Sequence, residues 1–323
     1  MINHLYTVSA TGSDPTVNLA AESVLLENVP SDSLILYLWQ NDNTVVIGRN
    51  QNYYRECNAA NIAEDHVRVV RRPSGGGAVY HDMGNLNFTF IAKDEDYNIA
   101  HYYAIIIKAL QKAGIEASLS GRNDLLVNHA KFSGSAYYHH HGSSYHHGTL
   151  LINSDLTKMP LYLNPDPLKL KAIGVDSVRS RVMNLSELQP SLSIDMMRNL
   201  LVQACEEYYQ LSVEELPFPS EKQLEQYREL YRSEEWIKGK NPPFDLELSN
   251  RFEWGCLTIG FQVNRGIVRK VSVSSDAMEQ AQILMIPSML EGVRFESAAL
   301  SSAVNQEGKL FKEISLWLKE QEF

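Results

Sequence analysis

Short apolar runs recur along the first half of the chain and predict strands interspersed with a few helices. Asp14 directly before Pro15 is typical of a helix N-cap followed by a proline at the first helical position. The apolar spacing predicts helices over residues 15–29 and 97–113. It predicts strands over residues 5–9, 34–39, 44–47, 67–70, 86–91, 125–127, 131–138 and 148–153.

Turn-forming residues divide the runs at residues 34–39 and 44–47. The tripeptide Asn41-Asp42-Asn43 stands between them, which predicts a hairpin. Beyond residue 160 the pattern changes to a proline-containing, basic connector over residues 161–177. Further helices are predicted over residues 194–211, 220–231 and 310–319.

The cluster GKNPP at residues 239–243 is a strong structure breaker, and we place a domain boundary there. The chain of 323 residues exceeds the usual size of a single core, so two domains are expected. We predict a catalytic domain over residues 1–243 and an accessory domain over residues 244–323. The accessory domain opens with two strand-like runs, at 255–263 and 267–273, that predict a hairpin. Because strands and helices do not alternate regularly, the fold class is α+β.

The composition argues against a membrane protein, a secreted protein and a nucleic-acid-binding protein. Hydrophobic residues make up 44% of the chain, no run is apolar and long enough to span a bilayer, and the N-terminus does not resemble a secretory signal. The formal net charge of -10 argues against nucleic acid as a partner. Cys57, Cys205 and Cys256 are widely spaced and odd in number, which favours a reducing, cytoplasmic setting over a disulfide framework.

Candidate chemistry is concentrated first in residues 71–90, RRPSGGGAVYHDMGNLNFTF. Three consecutive glycines allow positive φ and close approach of a ligand to the backbone amides, which can form a nest for an anion. Arg71 and Arg72 can supply positive charge beside that nest. The glycine spacing fits neither a P-loop nor a dinucleotide-binding fingerprint. An isolated triple glycine is also compatible with a flexible turn, and the spacing alone indicates an anion-binding loop.

A second cluster lies between residues 121 and 151. Lys131 is followed by the small residues Ser133, Gly134, Ser135 and Ala136, which leave room for a ligand against the backbone. A lysine held near a carboxylate and an α-phosphate would stabilise the transition state of adenylation. Consecutive histidines on a strand point to opposite faces, so we interpret the histidines at 139–141 as a polar hairpin tip, not a metal site.

Together these segments resemble lipoate–protein ligases of the bacterial type. The resemblance covers most of the chain and rests on motifs in matching order: TVVIGRNQN, RRPSGGGAVYHDMGNLNFTF, GRNDLLV, KFSGSA, HHGTLLIN and SVRSRVMNL. It implies a mixed β-sheet catalytic domain of the biotin/lipoate ligase type and a smaller α+β accessory domain. It also implies ATP-dependent ligation of lipoate to a lysine of an acceptor domain through lipoyl-AMP, with Mg²⁺ accompanying ATP and with AMP and pyrophosphate as products.

The resemblance assigns roles to individual residues. Lys131 is the catalytic residue and contacts both the lipoyl carboxyl end and the α-phosphate. The implied ATP-binding residues are Arg72, Gly77, Ala78, Val79, Tyr80 and Lys131. The implied lipoate-binding residues are Gly76, Gly77, His81, Lys131 and His147. Further positions that match the family pattern are Ser74, Gly75, Asn85, Asn123, Asp124, Ser135 and Ala136. No metal ligands are assigned. Val79 and the residues around Ile47 are candidates for an apolar slot for the lipoyl tail.

The expected acceptors are the lipoyl domains of 2-oxo acid dehydrogenase acyltransferase subunits and the glycine-cleavage H protein. One alternative is an ATP-independent octanoyl or lipoyl transferase, which uses a cysteine nucleophile on this fold. No cysteine lies between Cys57 and Cys205, and Cys57 is interpreted as structural. A biotin ligase would carry an arginine-rich adenylate loop that is absent here. A further alternative is a catalytically silent binding protein. Such a protein would be free to lose the arginine, the glycine loop and the lysine, and all three are present here.

Overall fold

The structure is a computed structural model that describes residues 1–10, 12–121, 123–164, 182–238, 246–264 and 266–321. The strands are β1 (His4–Ser9), β2 (Ser33–Trp39), β3 (Thr44–Ile47), β4 (Arg68–Arg71), β5 (Val79–His81), β6 (Asn85–Lys93), β7 (Ser118–Ser120), β8 (Asp124–Val127), β9 (Ala130–His140), β10 (Ser143–Leu151), β11 (Val213–Glu215), β12 (Leu246–Phe252), β13 (Gly255–Asn264) and β14 (Ile267–Ser275). The α-helices are α1 (Pro15–Asn28), α2 (Tyr53–Glu56), α3 (Ala59–Glu64), α4 (Ile99–Lys112), α5 (Met159–Tyr162), α6 (Ile194–Tyr209), α7 (Glu221–Arg232), α8 (Glu234–Lys238), α9 (Gln280–Leu290), α10 (Ser297–Val304) and α11 (Lys309–Lys319), and Leu185–Glu187 forms a 3₁₀-helix.

An eight-stranded mixed sheet forms the centre of the molecule. Its strand order is β11-β1-β2-β6-β10-β9-β8-β7. The pairs β11/β1 and β1/β2 are parallel, and the remaining neighbours are antiparallel. The α+β class and the mixed sheet of the catalytic domain are therefore confirmed.

Both faces of the central sheet are covered by helices. In β2, Leu34, Leu36 and Leu38 belong to the apolar cluster that also contains side chains of α4 and α6. The alternate positions of the same strand, including Tyr37 and Trp39, belong to a second cluster with α1. This period-2 division defines an α4 face and an α1 face of the sheet, and the candidate site lies on the α1 face.

The first helix begins directly after its predicted capping residue. Asp14 is the N-cap of α1, and its carboxylate accepts a hydrogen bond from the Thr16 backbone N–H at 2.9 Å. The second predicted helix begins at Ile99, two residues after its expected start, because Asn98 caps the N–H groups of Ala100 and His101. Residues 139–141 lie at the tip of the β9–β10 hairpin, as predicted. His141 and Gly142 at its turn have positive φ.

The predicted hairpin between the runs at 34–39 and 44–47 is wrong. The two edges of β2 are occupied by β1 and β6, so β3 cannot pair with it. Instead β3 is the centre of a separate three-stranded sheet, parallel to β4 and antiparallel to β5. The turn at residues 41–43 therefore carries the chain out of the central sheet, and this second sheet places the glycine-rich segment opposite the α1 face.

The C-terminal part contains an antiparallel sheet, β12-β13-β14, packed with α9, α10 and α11 around a separate apolar cluster. The predicted β13–β14 hairpin is confirmed. The GKNPP cluster and most of the predicted basic connector, residues 165–177, lie outside the described residues. The C-terminal part contacts the large part through Arg55 and Glu247, 2.7 Å apart, and through a hydrogen bond from Ser275 N–H to the Asn50 carbonyl at 2.9 Å. Within the described ranges, no helix has the length and apolar character needed to cross a membrane.

Candidate functional site

A cavity of about 760 Å³ lies between the α1 face of the central sheet, the glycine-rich segment and the C-terminal part. The sequence-predicted residues that line it are Arg72, Gly76, Gly77, Ala78, Val79, His81, Asn123, Asp124, Lys131, Ser135, Ala136 and His147. The glycine loop and Lys131 thus face the same space although they are more than 50 residues apart in sequence.

Four other predicted positions are not among the lining residues. Ser74 is fully buried, and Gly75 faces the C-terminal part, where a Cβ on it would lie 2.3 Å from the Ala277 carbonyl oxygen. Tyr80 turns to the opposite side of its strand, where its ring packs against Tyr162 and its hydroxyl donates to Asn43 Oδ1 at 3.0 Å. Asn85 is fully buried behind the cavity and forms an amide–amide hydrogen bond of 2.9 Å with Asn87, which does line it.

Arg72 is the internal support of the glycine loop. Its guanidinium donates to the carbonyls of Gly75 (2.7 Å), Gly77 (2.8 Å) and Val46 (3.2 Å), and to Ser74 Oγ (3.0 Å). Burial lowers its pKa to about 10, so it stays cationic at neutral pH. Its fixed positive charge therefore lies directly beneath the loop, with most of its donors committed to the loop itself.

The direction of the loop amides follows from those carbonyls. In a trans peptide the C=O of one residue and the N–H of the next point in opposite directions, so the Gly76 and Ala78 amides point away from Arg72. Gly76 has φ of +88°, and a Cβ there would lie 2.9 Å from Arg72 Nη2, so only glycine fits. The Gly76 N–H donates to the Ala277 carbonyl of the C-terminal part at 3.3 Å. This part of the chain therefore closes over the loop.

Arg71 differs from its neighbour and does not supply charge to the cavity, contrary to the expectation from sequence. Its Nη1 group donates to the carbonyls of Gly48 (2.8 Å) and Gln51 (2.6 Å), and Nη2 donates to the Ile237 carbonyl (2.6 Å). The side chain is buried and ties α8 to the segment after β3. Arg71 is the last residue of β4 and Arg72 directly follows it, and of the two only Arg72 lines the cavity.

Lys131 reaches the cavity from a β-bulge. The β8–β9 register shifts between Leu125 and Leu126, so Leu126 pairs with Lys131. A bulge of this kind redirects side chains by one residue. The ammonium group lies 2.7 Å from an Asp124 carboxylate oxygen, and both side chains are about one third exposed, at 38% and 34%. A Cβ on Gly134 would lie 3.0 Å from Lys131 Nζ, so this glycine leaves room for the lysine itself.

The sequence analysis missed a buried relay behind the cavity wall. Glu22 of α1 accepts from His147 Nδ1 at 2.8 Å, and His147 Nε2 lies 2.7 Å from Ser74 Oγ. Ser74 in turn accepts from Arg72. Because the carboxylate can only accept, His147 donates from Nδ1, and in the neutral ring Nε2 then accepts the Ser74 hydroxyl. The relay joins the cavity wall to the glycine loop, and its sequence signal was Glu22, the one charged residue in the run 19–26 of α1.

Apolar side chains line part of the cavity. They are Leu19, Trp39, Val46 and Val79. Val79 was a candidate from sequence, and among the residues around Ile47 it is Val46 that lines the space. Ile47 faces a separate apolar cluster with Tyr53 and Tyr80. Trp39 is held in place by a hydrogen bond from Nε1 to Thr89 Oγ1 at 3.0 Å.

None of the three cysteines, all in described parts of the chain, lines the cavity. Burial raises the pKa of Cys57 to about 12 and that of Cys205 further, so neither supplies a thiolate nucleophile at neutral pH. Among the described residues, no group of three or more His, Cys, Asp or Glu side chains could hold a metal ion.

Two family models match the chain. The model of the lipoyl protein ligase A/B catalytic domain matches residues 14–206, and that of the bacterial lipoate protein ligase C-terminus matches residues 241–318. The chain belongs to the lipoate–protein ligase family. Lipoate-protein ligase A of Psychrobacter cryohalolentis is 39% identical over 313 residues, which span 94% of this chain and 92% of that protein. Lipoate-protein ligase A of Blochmanniella floridana is 36% identical over 324 residues, 96% of each chain.

Solved structures of this family share the fold. P. falciparum LipL1 in complex with lipoate has a TM-score of 0.86 at 28% identity and covers 98% of this chain and 100% of that one. A lipoate-protein ligase A bound with ATP has a TM-score of 0.63 at 26% identity, covering 74% and 99%. A bipartite ligase from Thermoplasma acidophilum, described with its E2 lipoyl domain, has a TM-score of 0.65 at 26% identity, covering 76% and 100%.

Proposed function

We propose that this chain ligates lipoate to a lysine of an acceptor protein by ATP-dependent formation of lipoyl-AMP. The observation that carries the proposal is the shared cavity, in which the glycine loop above Arg72 and the ammonium group of Lys131 face the same space. Related structures contain lipoate in one case and ATP in another, which supports both substrates. The apolar side chains at one part of the cavity suit an acyl tail.

In the first step, a carboxylate oxygen of lipoate attacks the α-phosphorus of ATP. The bond from that phosphorus to the bridging oxygen breaks, and pyrophosphate leaves with the electron pair. Lys131 stabilises the negative charge that accumulates between the carboxylate and the α-phosphate, and it exchanges its Asp124 partner for these oxygens. The glycine loop holds phosphate oxygens over the charge of Arg72. Mg²⁺ enters with ATP as part of the substrate.

In the second step, the neutral ε-amine of the acceptor lysine attacks the acyl carbon. The carbon–oxygen bond to the phosphate breaks, AMP leaves with the electron pair, and the amine loses its extra proton to solvent. Between the steps the mixed anhydride must be kept from water. The buried cavity wall formed by Trp39, His81 and His147 excludes solvent from the acyl end.

We propose two classes of acceptor: lipoyl domains of 2-oxo acid dehydrogenase acyltransferase subunits, and the glycine-cleavage H protein. The archaeal relative described with its E2 lipoyl domain supports the first class. We also propose that residues 1–243 form the catalytic domain and residues 244–323 the accessory domain. The separate apolar cluster of the C-terminal part supports this division.

The C-terminal part closes the cavity, since Trp254, Asp276 and Met278 line it and the Ala277 carbonyl accepts from the Gly76 amide. We infer that the accessory domain moves between the two steps, because a Gly76 amide bound to Ala277 is not free for a phosphate oxygen. Small-angle scattering with and without lipoyl-AMP tests this movement. Identical profiles in both conditions contradict it.

An ATP–pyrophosphate exchange assay with lipoate, octanoate and biotin tests the function. We expect exchange with lipoate and none with biotin. The alternative, an ATP-independent acyl transferase, predicts no exchange with any acid and transfer of octanoyl or lipoyl groups between carrier proteins instead. Absence of exchange with lipoate from a folded protein would refute the proposal.

A further inference from the structure

A chain of side-chain amides leads from α1 to the cavity. Asn18 Nδ2 donates to the Gln40 backbone carbonyl at 2.7 Å and to Asn41 Oδ1 at 3.0 Å. A backbone carbonyl can only accept, so the orientation of the Asn18 amide is fixed. Tyr37 agrees with it, since its hydroxyl donates to Asn18 Oδ1 at 3.2 Å. Asn41 therefore presents Oδ1 to Asn18 and its NH₂ group to the other side.

On that other side, Asn41 Nδ2 lies 3.2 Å from Nδ1 of His81. An amide NH₂ group can only donate, so His81 Nδ1 must accept and carries no proton. The proton of the neutral ring is then on Nε2. This atom is buried and has no hydrogen-bond partner among the described residues, and the His81 side chain lines the cavity. The cavity wall thus contains a buried donor that has no partner among the described residues.

We propose that Asn41 is a positioning residue: through the relay Asn18–Asn41 it fixes His81 as an Nε2–H donor to an acceptor atom of the acyl ligand. The identity of that ligand rests on the proposed function. The relay itself rests only on hydrogen bonds within the protein. His147 shows the contrast within the same cavity, because Glu22 fixes its proton on Nδ1 and Ser74 occupies its Nε2. Of these two cavity histidines, only His81 keeps a donor for the ligand.

The charged and titratable side chains that act on His81 favour the neutral ring. Burial has the largest influence, followed by the positive charge of Arg72 and by His147, and together they lower the pKa of His81 to about 3. The donor on Nε2 is therefore present throughout the neutral range, and the relay alone decides which nitrogen carries the proton.

The substitution Asn41→Asp tests the relay at constant side-chain size. A carboxylate still accepts from Asn18, but toward His81 it accepts where the amide donated, so it draws the ring proton to Nδ1. Nitrogen-15 NMR of histidine-labelled protein, with the His81 signal assigned through His81→Gln, reports the tautomer directly. We expect Nε2–H in the wild type and Nδ1–H in Asn41→Asp at alkaline pH.

The KM for lipoate provides a functional test of the same relay. In Asn41→Asp at alkaline pH, Nε2 offers a lone pair where the ligand needs a donor, and we expect KM for lipoate in the exchange assay to rise roughly tenfold or more, the effect of losing one buried hydrogen bond. At lower pH the ring gains a second proton, Nε2–H returns, and the KM ratio of variant to wild type falls. If Nε2–H meets the carboxyl end, octanoate shows the same change. If it meets a ring sulfur, octanoate does not.

Two control variants distinguish the effect of the relay from effects of added charge and of misfolding. Gln40→Glu adds a negative charge one residue away without touching the His81 ring, and it should leave the KM ratio independent of pH. Asn41→Ala removes the donor without reversing it, so we expect a mixture of tautomers and a smaller rise in KM. Circular dichroism confirms that each variant is folded.

A wild-type His81 with its proton on Nδ1 would overturn the proposal, and so would an Asn41→Asp variant whose KM follows the wild type across pH. The NMR measurement needs no substrate. If the wild type lacks exchange activity but shows Nε2–H, the proposed function fails while the relay stands. If exchange is normal but the tautomer is Nδ1–H, the relay fails alone.

Discussion

The two walls of the cavity are built in opposite ways. One wall is the glycine loop with Arg72, here called the glycine wall. In it, Arg72 is buried and its guanidinium donates to the carbonyls of Gly75, Gly77 and Val46. The other wall carries Lys131 and Asp124 and is here called the lysine wall. In it, Lys131 is partly exposed and forms an ion pair with Asp124. One cation is bound into the fold, whereas the other is held by a contact that a ligand can replace.

This difference indicates that Arg72 supports the structure of the cavity, whereas Lys131 acts on the substrate. A buried guanidinium that supports backbone carbonyls contributes to stability as well as to the field in the cavity, because its removal leaves several acceptors without partners. A partly exposed ion pair contributes little to stability, since solvent screens it. The ammonium group of Lys131 can therefore move to a substrate at small cost.

Breaking the glycine wall should have the largest effect. Arg72→Met leaves the carbonyls of Gly75, Gly77 and Val46 without their donor, and we expect a loss on the order of 3–5 kcal/mol in the free energy of unfolding together with the loss of exchange activity. Urea denaturation measures the first and the exchange assay the second. Arg68→Met, at an exposed position on the same strand, is the control. Unchanged stability of Arg72→Met would contradict the supporting role.

Breaking the lysine wall should affect only the chemistry. Lys131→Ala removes the cation that stabilises the transition state, and we expect lipoate-dependent pyrophosphate exchange to fall by roughly 10²–10³ or to vanish. The circular dichroism spectrum and the melting temperature should stay as in the wild type. Lys112→Ala, which breaks a surface ion pair with Glu207, controls for the loss of a lysine. Normal turnover in Lys131→Ala would exclude the role assigned to it.

Two buried histidines lower the stability of the protein at acid pH. His146 is fully buried on the α4 face, and burial lowers its pKa to about 3, as it does for His81. The unfolded chain binds these protons near pH 6.5 and the folded chain does not, so stability is complete above pH 6.5 and falls toward pH 3. Each histidine contributes a slope of about 1.4 kcal/mol per pH unit. His146→Phe should remove one such slope in urea titrations at pH 4–7, and an unchanged slope would argue against a neutral buried ring.

A matched pair of glycine-to-alanine substitutions should give the smallest effects. Gly76→Ala places a side chain at positive φ beside Arg72, and we expect a loss of about 1–2 kcal/mol in unfolding free energy. Gly134→Ala only displaces the flexible end of Lys131 by a few tenths of an ångström, so we expect a loss of about two- to fivefold in kcat at unchanged stability. Equal losses of stability in both variants would remove the distinction between the walls.

Local sequence was sufficient for much of the fold and for the outline of the site. The Asp14 cap, the hairpin tip at residues 139–141 and most strand positions followed from period and turn chemistry. Residue type and spacing also predict the glycine run and Lys131 as candidate site residues, but only the fold places them in one cavity. Strand pairing was harder, because the edges of β2 were filled by strands distant in sequence, and no local pattern reports that competition.

The sequence by itself determined which residue types were available for chemistry: a glycine loop with its arginine, a lysine among small residues, and an apolar strand and helix pattern to carry them. Only the tertiary structure decided how each was used. It assigned neighbouring Arg71 and Arg72 to different tasks, and it placed Glu22 against His147 and Asn41 against His81. The partners are 20 residues apart for Arg71 and Gln51, 40 for Asn41 and His81, and 125 for Glu22 and His147. These pairings therefore depend on which buried groups meet across long stretches of chain. That requirement is met only when all the elements pack together.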